Sequence, residues 1–288
     1  MGTSNAYGGP GGGTPLIPTW LDSNDDAQPS PNEAATSDDA TTPAPPAPNL
    51  PPIPTSGAAD RFTAARNNFS RFASSGGADR ASLGRAVSHY VSTTAGGSRS
   101  AAQRMGASRA AGTRLLAFLS GAAAGGPRET LRALNLEYLA GRPIEEVFLG
   151  LVDYVCPDGG TVDEGIAREA FIETIAELAE NGIVDIDGLT ADQMQTIFEL
   201  YATHAIGARI CNDIGTKAVT LPADVSEATN VQVQLLDFVR RSVADALTIA
   251  RDTVRALTPD RVIGFVTRVY EQAFSILKAL GDAEVEET

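Results

Sequence analysis

The chain has 288 residues, two cysteines and a formal net charge of −14. Two cysteines exclude a disulfide-rich scaffold and point to a reducing compartment. No apolar run reaches the roughly 18 residues of a membrane helix, and the opening MGTSNAYGGPGGG lacks the basic and apolar regions of a secretory signal, so a soluble cytoplasmic protein is expected.

The average charge hides three blocks. Residues 1–59 carry 6 acidic and no basic side chains. Residues 60–128 carry 10 arginines, no lysine and only Asp60 and Asp79 on the acidic side. Residues 129–288 carry 12 basic and 28 acidic side chains. The expected organisation follows these breaks: a Gly/Pro-rich acidic tail over 1–57, an Arg-rich helical segment over 58–126 and an acidic helical bundle over 127–282.

The tail holds 12 of the 17 prolines, including PAPPAPNLPPIP over 43–54, and the glycine run GGPGGG over 8–13. Such a segment buries too little apolar area to offset its ordering entropy and is expected to stay unfolded. One island breaks it: Pro15-Leu16-Ile17-Pro18-Thr19-Trp20-Leu21, with the chain's single Trp. Leu16, Ile17 and Trp20 read as a short docking motif with Trp20 as its anchor; the alternatives are an apolar accident without a role and packing onto the chain's own body.

Helical periodicity sets in at Ala58 with Phe62, Phe69 and Phe72, and continues over 78–93 with Leu83, Ala86, Tyr90 and Val91. From Ser98 to about Ala124 one face carries Ala101, Met105, Ser108, Gly112, Leu115 and Leu119, with Gly112 the weak point of an otherwise single span. Ile144, Val147, Phe148, Leu151, Val152 and Val155 form an apolar stripe after Pro143. Thr161 with Glu164, and Thr190 with Gln193, spell capping boxes before two further helices. A long helix is expected from beyond Pro222 to about Leu257, and a last one from the Thr258 cap and Pro259. The fold class is therefore an all-α helical bundle, with short strands possible at Ile183–Ile186.

Catalytic and metal signatures do not assemble. His89, His204, Cys156 and Cys211 are not spaced as ligand pairs; His204 and Cys211, seven apart, read as a satisfied histidine and a plain thiol. Gly215-Thr216-Lys217 has the phosphate-loop order wrong, and Asp185-Ile186-Asp187-Gly188 lacks the remaining calcium ligands and reads as a turn. No cofactor is expected, and the chain does not read as an enzyme.

The arginines recur every five residues: Arg61, Arg66, Arg71; Arg80, Arg85; Arg99, Arg104, Arg109, Arg114. Five residues advance a helix by about 140° past a full turn, so the guanidinia spread around it and do not line one groove. Three partners remain open: the chain's own acidic block, an acidic partner protein, or nucleic-acid phosphates. Arg99, Arg104 and Arg109 are the candidate partner-binding positions.

At the start, Gly2 behind Met1 permits Met removal and would expose an unhindered α-amine, which titrates near 7.7–8.0 and is partly nucleophilic at neutral pH. Ala6 breaks the myristoylation pattern, so Gly2 is a possible acylation site without being a lipid anchor.

Met1-Gly2-Thr3-Ser4, the tail with its apolar island, Arg61-Phe62 through Arg71-Phe72, Leu83-Gly84-Arg85, Tyr90-Val91 and Arg104-Met105-Gly106 together resemble the QatB family of bacterial Qat anti-phage defence systems. The resemblance spans most of 1–120 and beyond that rests on helical pattern. It implies partners: an ATPase, a QueC-like enzyme and a TatD-like nuclease. QueC enzymes adenylate 7-carboxy-7-deazaguanine with ATP and pass the carboxyl to ammonia; a protein α-amine could take ammonia's place, which would make Gly2 the modified residue. A 57-residue coil spans about 40–45 Å end to end, enough to reach a neighbouring active site. The alternative function is a nucleic-acid adaptor that presents phage DNA or RNA to the nuclease through its arginines.

Overall fold

The computed structural model describes residues 60–157, 159–178, 180–214, 219, 221–250 and 259–286. All belong to one unit, Ile53–Thr288. The other unit, Met1–Pro52, lies outside the described residues, and with it Gly2, Leu16, Ile17 and Trp20. Gly215-Thr216-Lys217 and the Thr258 cap lie outside them too.

The described residues form ten α-helices and no strand. In chain order they are α1 (Thr63–Ser74), α2 (Arg80–His89), α3 (Ser98–Gln103), α4 (Gly106–Gly125), α5 (Pro127–Ala133), α6 (Ile144–Val155), α7 (Val162–Leu178), α8 (Ala191–Ile214), α9 (Val225–Ile249) and α10 (Pro259–Glu286). The last helix is the spine of the bundle: α10 packs on α2, α3, α4 and α9. Beside it, α8 packs on both α7 and α9, and α4 touches α5, α6, α7 and α8.

The apolar faces read from the sequence are the faces that go inside. All six stripe residues of α6 are buried, as are Val231, Leu235, Phe238, Val239, Val243 and Leu247 of α9. An aromatic chain links four helices through the core. Phe118 of α4 meets Phe148 of α6 edge-on at 6.4 Å, Phe148 stacks on Phe171 of α7 at 5.6 Å, and Phe171 meets Tyr201 of α8 edge-on at 6.3 Å.

Both capping boxes form. Thr161 N–H donates to Glu164 at 2.9 Å while Glu164 N–H donates to the Thr161 hydroxyl at 3.3 Å. Thr190 and Gln193 exchange the same bonds at 2.9 and 3.2 Å. At the start of α2, the Asp79 carboxylate accepts from Ser82 N–H at 2.9 Å, and these bonds to Ser82 hold its pKa below the usual 3.8.

Four local expectations are corrected. The span from Ser98 to Ala124 is two helices, and the break falls at Arg104-Met105 and not at Gly112, which sits inside α4 against Phe198 and Tyr201. Its cause is tertiary: the Asp163 carboxylate of α7 accepts from Ala107 N–H at 2.8 Å and caps α4 from outside. The face survives the break, since Ala101, Met105, Ser108, Gly112, Leu115 and Leu119 are all buried. After α2 the chain widens into a π-helical turn, Tyr90–Thr94, closed by Ala95 N–H to the Tyr90 carbonyl at 2.8 Å. Ile183–Ile186 is irregular and not a strand: Ile183 and Ile186 are buried, and the Val184 carbonyl accepts from Ile144 N–H at 3.1 Å, serving the α6 start. The ninth helix ends at Ile249 with Ala250 as its C-cap, short of Leu257.

Candidate partner surface and its arginines

An arginine on a helix bundle either meets solvent or finds an acceptor, and buried carbonyls at helix ends are the commonest free acceptors. Arg66 and Arg114 of the basic block take that route. Arg66 Nε donates to the Ile214 carbonyl, the last of α8, at 2.8 Å, and its guanidinium lies 4.8 Å from the Phe62 ring centre. Arg114 donates to the Val155 carbonyl at the end of α6 at 2.6 Å. Each places a cation at a helix C-terminus, where the backbone dipole favours it.

The three candidate partner-binding arginines separate. Arg109, half-buried on α4, donates to the Thr267 hydroxyl of α10 at 3.2 Å. Arg104 is exposed and reaches the Thr94 carbonyl at 3.4 Å. Arg99 stands 79% exposed, with Glu271 of α10 at 3.5 Å. Arg99 and Arg109 reach residues one turn apart on α10, Glu271 and Thr267, whereas Arg104, in the break between α3 and α4, turns to the Thr94 carbonyl. Arg99 and Arg104 keep the surface exposure that a partner contact needs, whereas Arg109 faces inward.

A half-buried charged cluster escaped the sequence reading. Arg209 of α8 bonds Asp213 at 3.0 Å through Nε and Asp163 of α7 at 3.1 Å through Nη1. The Tyr90 hydroxyl donates to Asp213 at 2.9 Å. Burial opposes the Arg209 charge, but the Asp213 and Asp163 carboxylates more than offset it and hold its pKa above the ordinary value. Burial, then the Asp213 carboxylate, pushes the Tyr90 phenol far up. With Asp163 also capping α4, one network ties the π turn, α4, α7 and α8 together. The only sequence signal for it is the Arg209–Asp213 pair at i,i+4.

His204 and Cys211 line one hollow beside α8, but the His204 ring turns to a carboxylate. The His204 ring lies 2.8 Å from Glu177, whose other oxygen accepts from Arg240 at 2.6 Å. Cys156 is buried with its thiol on the Ala167 carbonyl at 3.4 Å, and burial pushes its pKa up to about 11. Among the described residues, no group of three or more His, Cys, Asp or Glu could hold a metal, and no helix is long and apolar enough to cross a membrane. Asp187 N–H donates to the Asp185 carboxylate at 2.9 Å, the local turn read from the sequence.

A cleft of about 410 Å3 opens between α2, α9 and the end of α10, lined by Arg80, Arg240 and Arg241 together with Asp237 and Glu284. Arg80 donates to Gln234 at 3.0 Å, and Arg241 lies over the Phe238 ring at 5.1 Å. The mixed charges leave the cleft without a clear preference of sign.

A family model described as the Qat anti-phage system associated protein QatB matches residues 96–277, more than half of the chain. The chain belongs to the QatB family. It is thereby a component of the Qat anti-phage defence system. The match runs from α3 into α10 and contains Arg99, Arg104, Arg109 and the Asp163–Arg209–Asp213 network. Of the residues that carried the resemblance, Arg104-Met105-Gly106 falls inside it, while those from Met1 to Val91 precede it. No curated protein and no solved structure matches the chain.

Proposed function

We propose that this QatB family member is a non-catalytic partner and substrate within its defence system. A QueC-like enzyme activates the carboxyl of a 7-deazaguanine with ATP, forming the acyl-adenylate and releasing pyrophosphate. The α-amine of Gly2, freed of Met1, attacks that carbonyl. An amide forms, AMP leaves and the surplus proton passes to solvent. The observation that carries the reading is membership of the QatB family of the Qat anti-phage system. Three features support it: the small Gly2, a tail composition suited to an extended chain, and Leu16, Ile17 and Trp20 as a docking motif.

Arginine placement weighs against the nucleic-acid alternative. A phosphate-binding face needs several guanidinia free together, and Arg66, Arg109 and Arg114 are engaged with the chain's own acceptors.

Co-expression with the QueC-like enzyme followed by intact-mass measurement tests the proposal. A mass gain of one deazaguanine acyl group on the first tryptic peptide, lost in Gly2→Phe, is the expected result. An unmodified terminus alongside an active enzyme would sink it, and salt-sensitive binding of DNA abolished by Arg99→Glu with Arg104→Glu would favour the adaptor.

A further inference from the structure

Two hollows along α8 share Cys211, Gln232 and Leu235 and therefore form one trough. One end, about 350 Å3, is apolar: Phe69 of α1, Val219, Leu221, and Ala228, Val231 and Leu235 of α9 wall it. Leu221 is 53% exposed, and Val225, one turn before Ala228 on α9, is 79% exposed, so apolar surface continues past the rim. The other end, about 260 Å3, runs between α7 and α9 over Gly207 and Ala208. Gly207 lets the helices close there, since a Cβ on it would stand 2.7 Å from Leu236 Cδ2.

Charge at this second end has one sign. Glu169 and Glu173 of α7 line it, both exposed, one helical turn and so about 6 Å apart. No Lys or Arg is among the residues described as lining the trough, and the His204 ring is engaged by Glu177.

We propose that this trough is a docking groove for a cationic amphipathic helix of a partner protein. A groove between packed helices is the complement of a helix ridge. Apolar side chains of the partner enter the Phe69–Leu221 end, and Lys or Arg side chains one turn apart meet Glu169 and Glu173. Charge complementarity selects the occupant: an acidic helix would meet two carboxylates, and a purely apolar one would leave them facing it across a desolvated rim. The inference goes beyond the proposed function and holds whether or not Gly2 is modified.

The test uses the full chain and a fluorescein-labelled 18-residue Leu/Lys amphipathic peptide, read by fluorescence anisotropy at low salt. Two controls accompany it: the same peptide with Glu for Lys, and a scramble of equal composition without an apolar face. Saturable binding of the Leu/Lys peptide at least tenfold tighter than either control is expected. Glu169→Lys with Glu173→Lys, and separately Leu221→Asp, should each weaken it at least fivefold. All these positions are exposed, and unchanged circular dichroism will confirm folded variants. No binding at 100 μM, equal binding of the controls, or affinity indifferent to both sets of substitutions would each overturn the proposal.

Discussion

Arg209 shows how one side chain can hold three helices in register. Its two carboxylate partners belong to α7 and α8, and each has a second role: Asp163 caps α4, and Asp213 receives the Tyr90 hydroxyl. Arg209→Ala strands both acids in a largely buried site, and we expect a loss of about 2–4 kcal/mol, read by urea denaturation. Arg99→Ala, by contrast, removes an exposed side chain and should leave the midpoint almost unmoved. Phenols set the alkaline limit. Burial raises the pKa of Tyr90, Tyr201 and Tyr270 above the ordinary 10.0. A raised folded-state pKa means full stability below pH 10 and progressive loss above it, where the unfolded chain ionises first. The Cys156 thiol, raised from 9.0 to about 11, adds a smaller loss that begins below pH 9, so melting temperature should be flat from pH 7 to 8, ease down around 9 and fall steeply past 10; an unchanged value at pH 11 would contradict the buried phenols.

Among the elements, α2 and α10 cross with backbone against backbone. A Cβ on Gly84 would stand 2.8 Å from the Gly281 carbonyl oxygen, and one on Gly281 would lie 2.5 Å from the Gly84 oxygen. Backbone meets backbone, so no flexible side chain can move aside. Gly281→Ala should cost about 1–3 kcal/mol despite its better helix propensity, whereas alanine at Gly165, which has open space around it, should be neutral or stabilising. Thermal denaturation of the pair separates the two cases. Element existence was legible because 3.6-residue periodicity and capping boxes are local signals: the α6 and α9 stripes and the Thr161 and Thr190 caps sit where the residues place them. The break at Arg104-Met105 was not legible, because its cap comes from Asp163, 56 residues away.

Across the whole molecule, the described core runs from Ala65 to Leu277 as one apolar cluster. A chain beginning at residue 58 is therefore expected to keep a cooperative helical melt within a few degrees of the full protein while losing defence activity. Loss of cooperative folding would show that the tail is part of the core. The charge blocks also carry meaning at this scale: arginines of the basic block serve carbonyls and hydroxyls of the acidic one, as Arg66, Arg109 and Arg114 do. Composition announced an attraction between the blocks, yet these acceptors are uncharged oxygens and not the carboxylates that charge counting suggests.

Fold class, helix faces and two of the caps were decided by neighbours within a turn or two, where hydrophobic period and hydroxyl–carboxylate spacing act directly. Family membership, too, resides in residue order. Which arginines remain at the surface, where α4 begins, and that Glu169 and Glu173 border an apolar trough were decided only by packing. Those features depend on which helix ends and side chains meet across long sequence separations, and the close approach that creates them is a property of the assembled bundle.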